Sequence, residues 1–317
     1  MTAGASRSRV VFMGSPAFAV PALRSLHAGS YDVVGAISQP DRPAGRGGKL
    51  QMPAVKLAAL ELGIEAFQPE SLKDEAAVQR LADFAADFFV VAAYGRILPR
   101  PVLALPKRGC VNIHGSLLPR WRGPSPISAA ILAGDAETGV SIMELLPKMD
   151  AGPVITTARL LLSPDATTGS VTGELSELGA ATLLAVLPAW LEGEAVATAQ
   201  DESLVTYCHL VSKADGHLRA EMSIDEAERA VRAYNPWPGA YVTLRGERLS
   251  IWRAHLNPGH TEGPAGTVQI MERKPAIGFG GGWLVLDEVQ RTGSKRVTGE
   301  QFVNGERGKL EPAVGLA

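Results

Sequence analysis

Phe88-Phe-Val-Val-Ala-Ala93 is an apolar run with no polar face, closed on either side by Asp87 and Tyr94-Gly95. A strand with one face in water alternates polar and apolar residues. An unbroken run suits a strand covered on both faces, as in a parallel sheet between helices. The surrounding chain repeats this grammar. Arg9-Val-Val-Phe-Met13 and Val33–Ile37 read as further buried strands, and Gly14-Ser-Pro-Ala-Phe18 as a turn into a helix with Pro16 near its first turn. Ala54–Gly63 and Ala76–Phe84 read as helices, the first ending on Gly63. Leu175, Leu178, Gly179, Thr182, Leu183 and Val186 recur at helical spacing and make a closing helix. Strands alternating with helices in this way predict an α/β domain built on a Rossmann-like, mostly parallel sheet.

At 317 residues the chain is long for a single domain. Its character changes across Gly193–Ser203, which is polar and small like a linker. Beyond it, Ser223-Ile-Asp-Glu226 is a capping box, and Ala227, Ala230, Val231 and Tyr234 form one helical stripe before Asn235-Pro236 stops the helix. Tyr241–Leu244, Leu249–Ala254, Gly266–Met271 and Trp283–Val289 are short strand signals separated by Gly-rich turns, the pattern of a small closed or half-open β-barrel. The predicted layout is a flexible tail over 1–9, a first domain over 10–192, a linker over 193–206 and a smaller barrel domain over 207–317.

A net charge of −2 gives no overall argument for a nucleic-acid partner, so any such argument must come from local charge. Cys110 and Cys208 lie far apart and form no Cys/His cluster, which leaves a zinc site or redox dithiol without support. No apolar run approaches the ~18 residues a membrane helix needs. The head Met1–Arg9 is too short for a transit peptide and lacks the apolar centre of a signal peptide, so a cytoplasmic protein with no membrane partner is expected.

Val111-Asn-Ile-His114 carries the chemistry. Residues two apart on a strand share a face, so Asn112 and His114 point together while Val111 and Ile113 face the core, and Gly115-Ser116 ends the strand at the sheet's carboxyl edge. Open α/β sheets bind ligands at that edge. An amide donor beside an imidazole suits a developing oxyanion together with proton transfer. Alone, the pair matches a satisfied core histidine and a turn-forming Asn better than it matches a catalytic pair. Asp150, in Met149-Asp-Ala-Gly152, breaks a strand-like stretch and would complete a trio, although spacing by itself also allows an ordinary turn aspartate. Gln39–Lys49 is a second signal: Arg42, Arg46 and Lys49 stand against the single acid Asp41, among prolines and glycines that predict an irregular loop. Composition leaves a solvated surface loop and a segment docking on a phosphate backbone equally open. A nicotinamide-binding loop is set aside, because Met13–Phe18 has one glycine where that motif needs three, and no Walker pattern occurs.

The motifs FMGSPAFA (Phe12–Ala19), QPDRPAGRG (Gln39–Gly47), AYGRILP (Ala93–Pro99), NIHGSLLPRWRGPSP (Asn112–Pro126), GDAETGVSIM (Gly134–Met143), MDAG (Met149–Gly152), DESLVTY (Asp201–Tyr207) and NPWP (Asn235–Pro238) form a larger pattern. Together, from Val10 to about Trp252, they resemble the folate-dependent formyltransferases, and the PDRPAGRG loop narrows the resemblance to the methionyl-tRNA formyltransferase family. That resemblance implies Asn112, His114 and Asp150 as the catalytic trio, Asn112 and a protonated His114 donating to the formyl oxygen and Asp150 relaying a proton. It implies Ser116, Leu117, Leu118 and Pro119 as the tetrahydrofolate-contacting segment. Arg42, with Arg46 and Lys49, would lie in a loop that enters the acceptor arm of the initiator tRNA. The C-terminal part would be an OB-like barrel supporting that tRNA. 10-Formyltetrahydrofolate is then the co-substrate, initiator methionyl-tRNA the partner, no metal is needed, and a monomer is the default. Arg120 and Arg122 are candidates for phosphate or for the sheet edge. One departure is visible: after Ser212–Gly216, such relatives usually carry an acidic residue followed by Trp, where this chain has Leu218-Arg219-Ala220.

Other readings remain. Formyltransferases acting on amino sugar nucleotides or glycinamide ribonucleotide share the HGSLLP core, but neither should need the PDRPAGRG loop. A non-catalytic RNA-binding protein on a decayed formyltransferase fold is opposed by the complete set of Asn112, His114 and Asp150.

Overall fold

In the computed structural model, which describes residues 7–44, 49–257, 264–306 and 314–315, the first part of the chain runs β1 (Ser8–Gly14), α1 (Val20–Ala28), β2 (Tyr31–Ile37), β3 (Arg42–Ala44), β4 (Lys49–Gln51), α2 (Ala54–Glu61), β5 (Ala66–Phe67), α3 (Glu75–Asp83), β6 (Phe88–Ala92), α4 (Arg100–Leu103), β7 (Cys110–His114), α5 (Pro126–Ala133), β8 (Glu137–Glu144), β9 (Val154–Leu161) and α6 (Thr168–Glu192). Seven of these strands make one sheet in the order β5-β2-β1-β6-β7-β8-β9. The first five are parallel, and β8 and β9 add an antiparallel edge.

The two-residue period of the strands explains their unbroken hydrophobicity. Val10, Phe12, Phe88, Val90, Val111 and Ile113 point into one core, with Leu23 and Leu26 of α1, Val55 and Ala59 of α2, and Ala180, Leu183 and Leu187 of α6. Their neighbours Val11, Met13, Phe89, Val91 and Cys110 point into the other, against Leu81 of α3 and Val102 of α4. Each such aliphatic or aromatic side chain gains roughly 1.5–3 kcal/mol on burial, which pins the register on both faces.

Two expectations need correction. Pro16 lies outside the helix with φ −78° and ψ 172°; a short 3-10 turn at Ala17–Ala19 intervenes, and Pro21 occupies the first turn of α1. Helix α6 spans 25 residues and is long and apolar enough, by length and composition, to cross a membrane. The expectation that no apolar stretch reaches that length missed it, because Thr, Gly, Ser and Glu are scattered among its apolar residues. In the fold its apolar stripe is spent on the sheet, where Leu175, Leu183 and Leu187 are fully buried.

The C-terminal part contributes α7 (Ile224–Ala233), β10 (Ala240–Leu244), β11 (Glu247–Leu256), β12 (Thr267–Met271), β13 (Lys274–Phe279), β14 (Gly282–Arg291), β15 (Val297–Thr298), α8 (Gly299–Glu306) and β16 (Val314–Gly315). Its antiparallel strands are ordered β10-β11-β14-β13-β12-β16, with β15 on β14, and form a half-barrel. Register shifts in β11 around Arg253 supply bulges, which bend and twist a sheet. The Ser223/Glu226 capping box opens α7 as expected. Ala227, Ala230, Val231 and Tyr234 enter a core with Val242, Ile251, Phe279, Leu286 and Phe302. Leu218, where relatives were expected to differ, is buried in that same core, and its N–H donates to Tyr241 O.

By packing the chain divides into two units, Met1–Pro126 with Glu137–Leu161 and Thr172–Cys208, and Ile127–Ala136 with Leu162–Val171 and His209–Ala317. Residues 193–206, read as a linker from their composition, are part of the first unit.

Candidate active site

At the carboxyl end of β7 the alternation does what the sequence predicts. Val111 and Ile113 enter the α1/α2/α6 core, so Asn112 and His114 lie on the opposite face, paired across β8 with Met143 and Ser141. Both are buried, and among the described residues no hydrogen bond satisfies the Asn112 amide.

The chain then makes a tight excursion. Ser116 is fully buried, its hydroxyl donating to Arg120 O at 2.6 Å. Ser141 braces the same turn twice: its hydroxyl donates to Ser116 O at 2.7 Å and accepts from Leu118 N–H at 3.0 Å. Leu117 lies over Gly139 of β8, where an added Cβ would sit 2.5 Å from its Cδ2. Leu118 is buried, and Leu117 and Pro119 are half-buried. Trp121 has a φ of 63°, a left-handed conformation that costs a bulky residue on the order of 1–3 kcal/mol. The turn aims the Trp121 carbonyl at the imidazole, 2.9 Å from His114 Nε2. A carbonyl can only accept, so Nε2 carries the proton and donates it there, and Nδ1 is the ring nitrogen turned to the site.

Opposite Nδ1, at 3.9 Å, is Asp150 Oδ2. Asp150 also has a left-handed backbone, φ 48°. That costs roughly 1–2 kcal/mol. It is offset by a charge-assisted bond from Gly123 N–H to Oδ2 at 2.8 Å, of a kind worth about 1.5–3 kcal/mol. Gly152 explains the last letter of the motif: a Cβ there would meet Glu144 O at 1.7 Å, so only glycine lets the turn lie against the end of β8. The structure therefore brings Asn112, His114 and Asp150 to one sheet edge.

The sequence missed the role of Arg122 and missed Gln200 altogether. Arg122 is 0% exposed, its Nε donating to Gln200 Oε1 at 2.9 Å and its Nη2 to Glu202 Oε1 at 2.8 Å. It is an interior strut and not a phosphate ligand. Gln200 Nε2 donates to Asp150 O at 2.8 Å and Gly152 O at 2.7 Å. The main chain at Arg122 pairs with Thr206 and Cys208, so the segment after α6 closes the site from behind. Adjacency to the DESLVTY motif is the one sequence signal that pointed here. Arg120 instead lies exposed, its guanidinium 4.4 Å from the Trp121 ring.

The basic loop is partly regular, against expectation. β3 and β4 pair antiparallel, Arg42 opposite Gln51 and Pro43 opposite Leu50. Proline lacks a donor, but among the described residues each strand here has one neighbour, so Pro43 costs no ladder bond on its outer side. Arg42 is exposed. Arg46, and the side chain of Lys49, lie outside the described residues. The hairpin's root is fixed by Asp41, which accepts from Lys56 Nζ at 2.7 Å and from Gln68 Nε2 at 2.8 Å. Among the described residues no group of His, Cys, Asp and Glu side chains could hold a metal ion.

Residues 8–187 match the formyl transferase family, and residues 210–307 match the formyl transferase C-terminal domain. Methionyl-tRNA formyltransferase of Methylobacillus flagellatus is 46% identical over 94% of this chain and 96% of that relative. The protein of the same name from Roseiflexus castenholzii is 48% identical over the same shares. The chain belongs to the methionyl-tRNA formyltransferase family. Among solved formyltransferase-like folds, an N-formyltransferase from Helicobacter canadensis, in complex with folinic acid and dTDP-3-aminofucose, is similar at a TM-score of 0.65 and 15% identity, over 90% of this chain and 99% of that one. HypX from Aquifex aeolicus in complex with tetrahydrofolic acid is similar at a TM-score of 0.62 and 18% identity, over 97% of this chain and 48% of that one. This family membership makes the chain a formyl-transferring enzyme, and the parallel sheet with its half-barrel is the formyltransferase fold.

Proposed function

We propose that the protein transfers the formyl group of 10-formyltetrahydrofolate to the α-amino group of methionine on initiator methionyl-tRNA. One observation carries the reading: in a chain so similar to enzymes of that name, His114 Nδ1 and Asp150 Oδ2 face each other at 3.9 Å beside the Asn112 amide. The Asp150 carboxylate presents lone pairs to the site, so a group that docks against it must bring hydrogen. An attacking amine, or a water relaying its proton, does so.

The amine nitrogen attacks the formyl carbon, and negative charge gathers on the formyl oxygen. The Asn112 amide and a proton on His114 Nδ1 donate to it. The proton released by the amine passes to Asp150, which hands it on through water to N10 of the folate as the bond from N10 to the formyl carbon breaks. No covalent enzyme intermediate or metal enters. Leu117, Leu118 and Pro119 wall the folate, and Ser116 holds that wall from inside. Arg42, Arg46 and Lys49 meet the acceptor-arm phosphates of the tRNA, and the half-barrel supports the rest of the tRNA. Both substrates are soluble, and the reading places a monomer in the cytoplasm.

The test is formylation of charged initiator tRNA by 10-formyltetrahydrofolate, with elongator methionyl-tRNA as control. Formylation of the initiator alone is expected. Formylation of an amino sugar nucleotide in its place would overturn the reading.

A further inference from the structure

We infer that Gln200 is a positioning residue that holds the Asp150 turn in the conformation the reaction uses. The inference rests on the role proposed for Asp150. Gln200 spends its whole amide here. Its Nε2 donates to the carbonyls of Asp150 and Gly152 at 2.8 and 2.7 Å, and its Oε1 accepts from the buried Arg122 Nε at 2.9 Å. A flipped amide would turn its oxygen toward two carbonyls and its NH2 toward a guanidinium, so these three partners fix one orientation.

The arrangement is reciprocal. The side chain of Asp150 is tied to the main chain of Gly123, while the main chain of Asp150 is tied, through Gln200, to the side chain of Arg122. Two neighbouring loops are clasped in both directions. Asp150 needs such a clasp because its φ of 48° is a conformation that non-glycine residues hold only when surroundings over-determine it. Relaxation to negative φ swings Cβ and carries Oδ2 away from His114 Nδ1. The donors that prevent this come from a segment that composition alone marks as a connector.

Q200E separates the two halves of the clasp, since a carboxylate still accepts from Arg122 but cannot donate to the carbonyls. Its kcat is expected to fall ten- to a hundredfold while KM for both substrates moves less than twofold. The Gly123 amide, read by hydrogen exchange, is expected to exchange at least tenfold faster, with the β7 amides still protected. Should Q200E fail to fold, the neutral Q200M carries the same expectations. Wild-type kcat with unchanged Gly123 exchange overturns the inference, and so does a loss in which both KM values rise in step with kcat. D150N, run alongside, separates the two claims. Full turnover in D150N removes the role of Asp150, whereas low turnover in D150N with normal Q200E removes only that of Gln200.

Discussion

Two excursions leave the same sheet at the carboxyl ends of parallel strands, one after β7 and one after β2, and they are built in opposite ways. After β7 the polar groups are tied: Ser116 and Arg122 are buried, and they, with Ser141 of β8 and the half-buried Asp150 beyond it, each bond to main chain or side chain of the same unit. After β2 a two-stranded hairpin projects Arg42 and Pro43 into solvent, leaves Leu50 72% exposed, and is pinned at its root through Asp41. The contrast follows from what each must meet. A charge that develops on one atom is stabilised by donors fixed in advance. A nucleic-acid backbone offers repeated charges, so reach and positive charge matter more than fixed geometry.

Breaking the first region should cost the most. N112A and H114A each remove a donor to the developing oxyanion, worth about 2.7–4 kcal/mol, and D150N removes the proton acceptor. Turnover is expected to fall at least a hundredfold in all three while circular dichroism and the melting temperature stay near wild type. Near-full turnover in N112A or H114A would show that the buried edge is merely structural. Gly152→Ala comes next. Its Cβ would meet Glu144 O at 1.7 Å, so the turn carrying Asp150 must shift. Crowding of this kind costs about 1–3 kcal/mol. Both the melting temperature and kcat should drop, with kcat down about tenfold or more. Unchanged kcat in a destabilised G152A would mean that the turn's position is unimportant to the reaction.

The sequence discloses these two regions unequally, for physical reasons. Alternation along β7 is local, so the shared face of Asn112 and His114 is legible from residues two apart. The parallel core strands are legible because burial on both faces removes polar residues. Strand β9 escaped because its Thr156, Thr157 and Arg159 interrupt any apolar run, and β13 because Pro275 reads as a breaker although it sits opposite Ile270. Contacts between distant segments leave no spacing to read. Gln200 meets Asp150 across half a hundred residues of chain, and Arg122, by sequence a candidate for phosphate or the sheet edge, becomes a buried strut only through Glu202 and Gln200. The basic loop was expected to be irregular because Gly and Pro dominate it, yet three residue pairs at its base suffice for a ladder.

Arg42→Ala sharpens the contrast from the other side. Binding of tRNA should weaken several-fold at low salt, and the slope of log affinity against log salt should fall by about 1, as for one lost phosphate contact. The KM for 10-formyltetrahydrofolate should not move. An unchanged salt slope would leave the hairpin as surface decoration.

The smallest effect is expected at the hairpin's root. Hydrogen bonds from Lys56, then from Gln68, hold the Asp41 carboxyl below its usual value of 3.8. A carboxylate depressed on folding adds stability above its unfolded value, and that contribution fades as pH falls below about 3.8 through the lower folded value. At neutral pH the root is therefore fully pinned, and D41N imitates acid there by keeping an acceptor for Gln68 while losing the charge opposite Lys56. Amides of Leu50 and Gln51 should exchange a few-fold faster in D41N at pH 7, and in the wild type only below that acid range. The melting temperature and the kcat at saturating tRNA should stay close to wild type, because among the described residues no hydrogen bond or ion pair joins Asp41, Lys56 or Gln68 to His114 or Asp150. If D41N lowered kcat as far as D150N does, the rigid edge and the exposed hairpin would have to be treated as one mechanical unit, and the division of labour argued from their construction would fail.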